Sequence, residues 1–305
     1  MRKHFLLLLA LTSQLAFTQG IKVISNEEIP IPKSDGSYLP LISPTGDYLL
    51  LTGNDMQGIL KYDLKSHQLS TLSNEKGAGF GAQISSDGNT VIYRSQEYKD
   101  KLRYTTLKSI NVNTGKKSEL IKGTRDLQGV SVIQGTVLAI NKGKIISKKV
   151  SGKKLSSLPA IPSIKDGQLF VTIKGKTQLI SPSGTNVSYL WPSISPDGKK
   201  ILYYVVDNSR AYISDIDGKN PISLGILRAP KWMGNNWVIG MVDYDNGEVV
   251  TSSEIVSVSA NGTGRTVLTP DSIIAMYPSA SSDASKIVYN TNDGKVYLIN
   301  IEINK

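Results

Sequence analysis

The stretch from Trp191 to Tyr204, Trp-Pro-Ser-Ile-Ser-Pro-Asp-Gly-Lys-Lys-Ile-Leu-Tyr-Tyr, leaves the chain few folds to choose from. It reads as a β-hairpin, with Ser188 to Ser195 as one strand and Lys200 to Val205 as the returning strand. Between them, Pro196-Asp197-Gly198 makes the turn: proline presets φ at the first position and glycine supplies the left-handed residue that closes it. Related hairpins recur at Leu39 to Gly46, Gln83 to Gly88 and Tyr277 to Asp283. A hairpin cannot bury its apolar face alone, so a chain built of them must stack or ring them together.

The turns between the first two strands of each unit fall at Gly46, Gly88, Gly135, Gly167, Gly198, Asn236 and Ala284, spaced 31 to 48 residues apart. That is the range of four-stranded propeller blades with two compact units. A second hairpin supports most units. In the two compact ones its last strand is expected at Lys153 to Leu158 and at Thr185 to Ser188. The last unit ends with a third strand, Lys295 to Ile303, and no fourth follows. Ile21 to Pro32 is an extended segment without a sequence neighbour to pair with, and it can supply the missing strand. Closing the ring in this way removes both exposed sheet edges. The expectation is an all-β, seven-bladed propeller closed by its N-terminal strand. Six blades follow instead if Leu127 to Ser188 is one blade with an insertion.

Residues 1–20 have a different character. Arg2-Lys3-His4 is a positive start, Phe5 to Leu11 a short apolar run, and small or polar residues follow to Gly20, which is the pattern of a cleaved secretory leader. Residues 21–305 are then expected to form one domain, periplasmic or secreted. No later apolar run is long enough to span a bilayer. The chain has no cysteine, which excludes disulfides and lipidation through a thiol. Its positive charge is uneven. Leu127 to Ser188 holds nine lysines against a single acid, Asp166.

The Ser-Pro-Asp-Gly-Lys-Lys-Ile turn preceded by Pro-Ser-Ile, with a later strand ending in Asp-Ile-Asp-Gly, resembles the TolB-like (WD-like) propeller repeat. The likeness is strongest in the fifth unit, clear in the first, second and seventh, loose in the sixth, where Pro230 to Asn236 lacks the Asp-Gly turn, and poor in the third and fourth. In that family an aromatic residue just before the turn packs between blades. Ile42, Ile194, Trp232 and Ala280 hold that place here, which implies that Trp232 is core. The family includes periplasmic partners of envelope proteins, propellers fused to peptidases or peptidoglycan-binding domains, and sugar-acting lyases, so the resemblance implies a fold and leaves the activity open.

Chemistry is sparse. Beyond the leader there is one histidine, His67, in a tight turn, and no Gly-x-Ser-x-Gly elbow to build a hydrolase triad. One imidazole and no thiolate cannot make the usual transition-metal sites. Asp243-Tyr-Asp-Asn-Gly-Glu248 puts its glycine one place too early for a calcium loop and reads as a hairpin tip. No cofactor or metal is expected. Two features stand out. The longer connections, Ser73 to Gly79, Ser95 to Lys101, Asp243 to Ser253 and Thr269 to Ile274, all belong to one face of a propeller, where Trp191, Tyr277 and Phe80 are candidate ligand contacts. The second is the lysine sector, in which Lys148, Lys149, Lys153 and Lys154 either keep outer strand edges from pairing or meet an anionic partner. The expected function is non-catalytic binding or scaffolding in the bacterial cell envelope. The expected partner is an envelope protein or an anionic polysaccharide, not nucleic acid, and the propeller itself is a monomer. A carbohydrate-binding or carbohydrate-active propeller using carboxylates alone is the alternative.

Overall fold

A computed structural model describes residues 20–32, 38–152 and 155–304. The expected leader therefore lies outside the described residues. Among the described residues twenty-six strands form seven antiparallel sheets in a ring. Strand β1 (Ile21–Ile29) comes first and belongs to the last sheet. Blade 1 is β2 (Tyr38–Ile42), β3 (Tyr48–Thr52), β4 (Ile59–Asp63) and β5 (Leu69–Ser73). Blade 2 is β6 (Gln83–Ile84), β7 (Thr90–Lys99), β8 (Leu102–Asn111) and β9 (Lys117–Thr124). Blade 3 has β10 (Leu127–Ile133), β11 (Thr136–Asn141) and β12 (Lys144–Lys149), and blade 4 has β13 (Ile161–Lys165), β14 (Gln168–Ile173) and β15 (Lys176–Leu179). Blade 5 is β16 (Tyr189–Ile194), β17 (Lys200–Val205), β18 (Arg210–Asp215) and β19 (Ile222–Ile226). Blade 6 is β20 (Arg228–Met233), β21 (Trp237–Asp245), β22 (Val250–Ser259) and β23 (Thr266–Val267). Blade 7 adds β24 (Ala275–Ala280), β25 (Lys286–Thr291) and β26 (Val296–Ile303), and its fourth strand is β1, paired antiparallel with β26 from Ile21↔Ile303 to Ile29↔Val296.

The apolar core is divided into seven wedges, one between each pair of neighbouring blades. Tyr48, Leu50, Val91 and Tyr93 fill the wedge between blades 1 and 2, and Ile92, Leu107, Val137 and Ala139 the next. Leu138, Ile140 and Ile161 alone form the buried part of the wedge between blades 3 and 4. Ile29, Val288 and Val296 meet Ile42, Leu49 and Leu51 where blade 7 returns to blade 1. A wedge at every junction, including the last to the first, is what distinguishes seven blades from six.

The recurring turn has a chemical reason. In blades 2, 5 and 7 a buried serine, Ser85, Ser195 or Ser281, donates Oγ–H to the aspartate two residues on, at 2.5 to 2.6 Å. The same Oγ accepts the backbone N–H of Thr90, Lys200 or Lys286 at 3.0 to 3.1 Å. The serine thus satisfies a backbone donor that the turn would otherwise bury unpaired. In blade 1 Ser43 donates to Asp47, two positions further along than in those blades, and accepts the N–H groups of Asp47 at 3.0 Å and Tyr48 at 3.3 Å.

Two expectations need correction. Blades 3 and 4 have three strands each. No strand forms in residues 155–158, and Thr185 to Ser188 runs as turn and coil because Gln168 Nε2 takes the Thr185 and Val187 carbonyls and Ser188 N–H binds Asp207. One stretch expected as a loop, Ser95 to Lys101, is instead part of a hairpin: β7 and β8 stay paired out to Lys99↔Leu102, as β21 and β22 do out to Asp245↔Val250. The Asp243 to Glu248 segment is indeed such a hairpin end. Asp243 is held by Arg228 and by Ser253 Oγ at 2.8 Å.

Candidate functional site

In the four-stranded blades, the connections from second to third strand and from the outermost strand to the next blade emerge on one face. The opposite face carries the remaining turns and the start of the link out of blade 3, where the Val150 and Ser151 N–H groups donate to the Gly135 carbonyl. Both long strand pairs, β7–β8 with ten residues each and β21–β22 with nine and ten, project from the first face.

At the base of the β7–β8 hairpin lies a pocket of about 350 Å³. Side chains alternate across a strand, so Ile92, Arg94 and Gln96 of β7 share a face with Leu107, Thr105 and Arg103 of β8. Lower down, Ile92 and Leu107 are fully buried against blade 3. Beyond the end of that wedge the same face changes to Arg94, Gln96, Arg103 and Thr105, which line the pocket. Arg125 closes it from the link into blade 3, Leu127 from the start of β10, and Phe80 from the link into blade 2. Arg94 Nη1 donates to the carbonyls of Phe80 at 3.2 Å and Gly81 at 3.0 Å, and its guanidinium lies 5.7 Å from the Phe80 ring centre. Burial pushes the pKa of Arg94 down from its ordinary value, yet a guanidinium stays charged under all ordinary conditions.

The link Gly77-Ala-Gly-Phe-Gly81 is shaped around these side chains. At Gly77, with φ of +75°, a Cβ would sit 2.6 Å from Gln96 Cδ, and at Gly81, with φ of +59°, 2.6 Å from Arg94 Nη1. Only glycine allows both the backbone conformation and the approach.

A second pocket of about 370 Å³ opens on the same face between blades 6 and 7. The Ser272 to Ile274 link, Thr251, and the Thr291 to Lys295 turn with Asp293 line it.

Of the residues singled out from sequence, Phe80 alone joins the first pocket, with half its surface exposed. Trp191 and Tyr277 stand in blades 5 and 7, each just before a proline in the innermost strand, with φ of +50° and +53°. Leu39 and Ala229 repeat this bulge in blades 1 and 6. A left-handed non-glycine residue costs roughly 1 kcal/mol, and such bulges re-aim a side chain. Trp191 turns out onto Tyr204, ring centres 5.0 Å apart, and is 40% exposed, whereas Tyr277 packs on the wedge between blades 6 and 7. Trp232 packs in the wedge between blades 5 and 6 and donates Nε1–H to the Ser193 carbonyl at 3.3 Å. Lys148 and Lys149 lie exposed at the end of β12, the outermost strand of blade 3, away from the pocket. Lys153 and Lys154 lie outside the described residues. His67 is exposed in its turn and bonded through Nδ1 to Tyr62 Oη at 3.0 Å. Among the described residues no group of three or more histidine, cysteine, aspartate or glutamate side chains could hold a metal ion. No helix among them is long and apolar enough to cross a membrane.

The three arginines were missed from sequence. They are spread over β7, β8 and the next link, and attention to lysine density passed over them. The available signal was the alternation on β7 and β8, where apolar positions give way to arginine on the same face.

No family model matches the chain, and no curated protein matches it in sequence. Among solved structures it is similar to TolB from Acinetobacter baumannii, with 14% identity and a TM-score of 0.55 over 82% of this chain. The chain spans 58% of the length of that protein. A chain of a mitotic checkpoint complex matches with 10% identity and a TM-score of 0.60, over 91% of this chain and 94% of that one. What they share with it is the propeller. At such identity the likeness speaks for the fold alone.

Proposed function

We propose that the chain is a non-catalytic binding propeller of the bacterial cell envelope, docking a partner protein through its hairpin-bearing face. The observation that carries this reading is one-sidedness. Both long hairpins and both pockets lie on one face, while no strand pair of the described residues extends as a long hairpin from the other. A rigid ring presenting variable connections on one side is the usual layout of a binding scaffold. Neither pocket is lined by an imidazole or by two carboxylates. The envelope setting rests on the expected leader of residues 1–20.

The test replaces residues 96–103 and 245–251 by short turns, and compares cross-linking to envelope proteins with the intact chain. A control alters the turns of the opposite face to the same extent. Loss of cross-links only in the hairpin-shortened protein is expected. Equal capture by all three would overturn the reading.

A further inference from the structure

Outside the leader the chain has six arginines against a much larger number of lysines, and three of the six, Arg94, Arg103 and Arg125, meet in the pocket between blades 2 and 3. Two of the other three are committed elsewhere: Arg228 pairs with Asp243, and Arg265 donates to the Leu224 and Ile226 carbonyls at 3.1 and 2.8 Å. Of the pocket arginines, Arg94 has only Nη1 engaged, with two backbone carbonyls, and Arg103 and Arg125 have no hydrogen-bond or ion-pair partner among the described residues. Among the described residues none of the three is paired with a carboxylate, and no acid lines the pocket. Of the acids nearest in sequence, Glu97 pairs with Lys99 at 3.2 Å, Asp126 accepts from Gln128 Nε2 at 3.0 Å, and Asp100 lies exposed at the β7–β8 tip outside the pocket lining.

Three cations without a counter-charge in a half-enclosed site repel one another, and folding gains nothing from gathering them. An anion supplied from outside resolves the repulsion. The geometry of Arg94 narrows which anion. Nη1 is spent on two backbone carbonyls, so the side-on edge of Nε and Nη2 remains, two parallel N–H groups with no acceptor among the described residues. That fork matches two oxygens held in one plane. Gln96 and Thr105, directly opposite each other on β7 and β8, add neutral hydrogen-bonding groups beside it. Phe80 and Leu127 form apolar walls that a bare inorganic ion would leave unused. The volume is at the small end of ligand pockets, room for a side chain rather than for a folded element.

We propose that this pocket is the anchor point of the docking face, and that it receives a carboxylate of the partner, an aspartate or glutamate side chain or a chain end, with an adjoining apolar group laid against Phe80 and Leu127. The inference rests on the protein-docking reading above, because carboxylate is the oxyanion that an unmodified protein surface carries. Arg94 makes the two-point contact, Arg103 and Arg125 compensate charge at the rim, and the Gly77 to Gly81 link holds Arg94 in place.

The probe is a labelled synthetic peptide of alternating glutamate and leucine, with its glutamine counterpart, titrated into the whole propeller at low salt. The glutamate peptide should bind at least about tenfold more tightly, a difference of about 1.4 kcal/mol. Arg94→Lys keeps the charge and removes the fork, and should lose most of that preference. Arg103→Gln and Arg125→Gln alter exposed side chains. They test the same claim if the Arg94 variant fails to fold, and each should weaken glutamate-peptide binding several-fold. Equal binding of the two peptides would overturn the proposal, and so would unchanged binding in the Arg103 and Arg125 variants. Displacement of the peptide by inorganic phosphate at lower concentration than by acetate would refute the choice of carboxylate. If these variants capture the partner normally while the hairpin-shortened protein does not, the anchor is wrong and the docking face stands. If neither change affects capture, both fall.

Discussion

The closing strand can be tested with one residue type at two positions. Ile29 and Ile24 both lie in β1. Ile29 is 8% exposed and packs with Val288 and Val296 of blade 7 against Ile42 and Leu49 of blade 1, so it touches both sides of the ring junction. Ile24 is 51% exposed, at the bulge where the β1–β26 register shifts between Val23 and Ser25. Truncating a buried isoleucine to alanine costs about 2–5 kcal/mol, from lost transfer energy and the cavity left behind. The same change on an exposed side chain costs about 0.5 kcal/mol or less. For a domain of this size, about 1 kcal/mol moves the melting temperature by roughly 2–4 °C. Ile29→Ala should therefore melt roughly 5–15 °C below the parent, with Ile24→Ala within about 2 °C of it. Circular dichroism on the two variants side by side is the assay, with gel filtration to follow association. Deleting residues 21–32 should go further, leaving the β26 edge open and the protein prone to aggregate. If Ile29→Ala and Ile24→Ala melted together at the parent temperature, β1 would not be closing the ring.

Other outcomes follow from the turns, the glycine link and the lysine edge. Asp197 and Asp283 are held below the usual carboxylate range, chiefly by the Oγ–H donors of Ser195 and Ser281. A carboxyl whose folded pKa is depressed contributes stability that is present above its unfolded value, near pH 4, and is lost as pH falls through the folded one. The urea midpoint should thus fall below about pH 4, and Ser195→Ala should make that fall shallower. Gly81→Ala forces a Cβ towards Arg94 at positive φ. It should cost about 1–2 kcal/mol and weaken the glutamate peptide, read by urea unfolding and by titration. Lys148→Gln with Lys149→Gln should leave the melting temperature nearly unchanged, because both are exposed. The variant should self-associate more at high concentration, as the outer edge of β12 loses its charge. Unchanged sedimentation would assign the lysines to something other than edge protection.

The seven inner turns were legible because each needs a backbone conformation that few residues supply, and a glycine or a serine–aspartate pair marks the place. Ring closure was legible for a different reason: Ile21 to Ile29 had no neighbour to pair with, and the last unit lacked a strand. The outer strands of blades 3 and 4 were misjudged because an outermost strand buries little and its alternation is weak. Lys176 to Leu179 in blade 4 is exposed at every position and still pairs, while Thr185 to Ser188 next to it does not. The β7–β8 extension was taken for a loop because its outer end, Glu97 to Arg103, is exposed and mostly polar. Backbone pairing holds it together with little help from burial. The pocket needed three elements brought together, and spacing along the chain does not report that.

Pairing Ile21 with Ile303 also sets an order of events. Of the described strands β1 is made first and finds its place last, since its partner β26 is made after all the others. Until then β1 and the inner strand of blade 1 each wait with an open side, and closing so long a loop slows the final step. A chain cut short before Val296 would lose the partner of its own first strand as well as the end of blade 7, leaving the ring open at both ends. Truncation near the C-terminus should therefore be felt first at residues 21–29 and in the wedge of Ile29, Ile42 and Leu49, at the far end of the sequence from the cut.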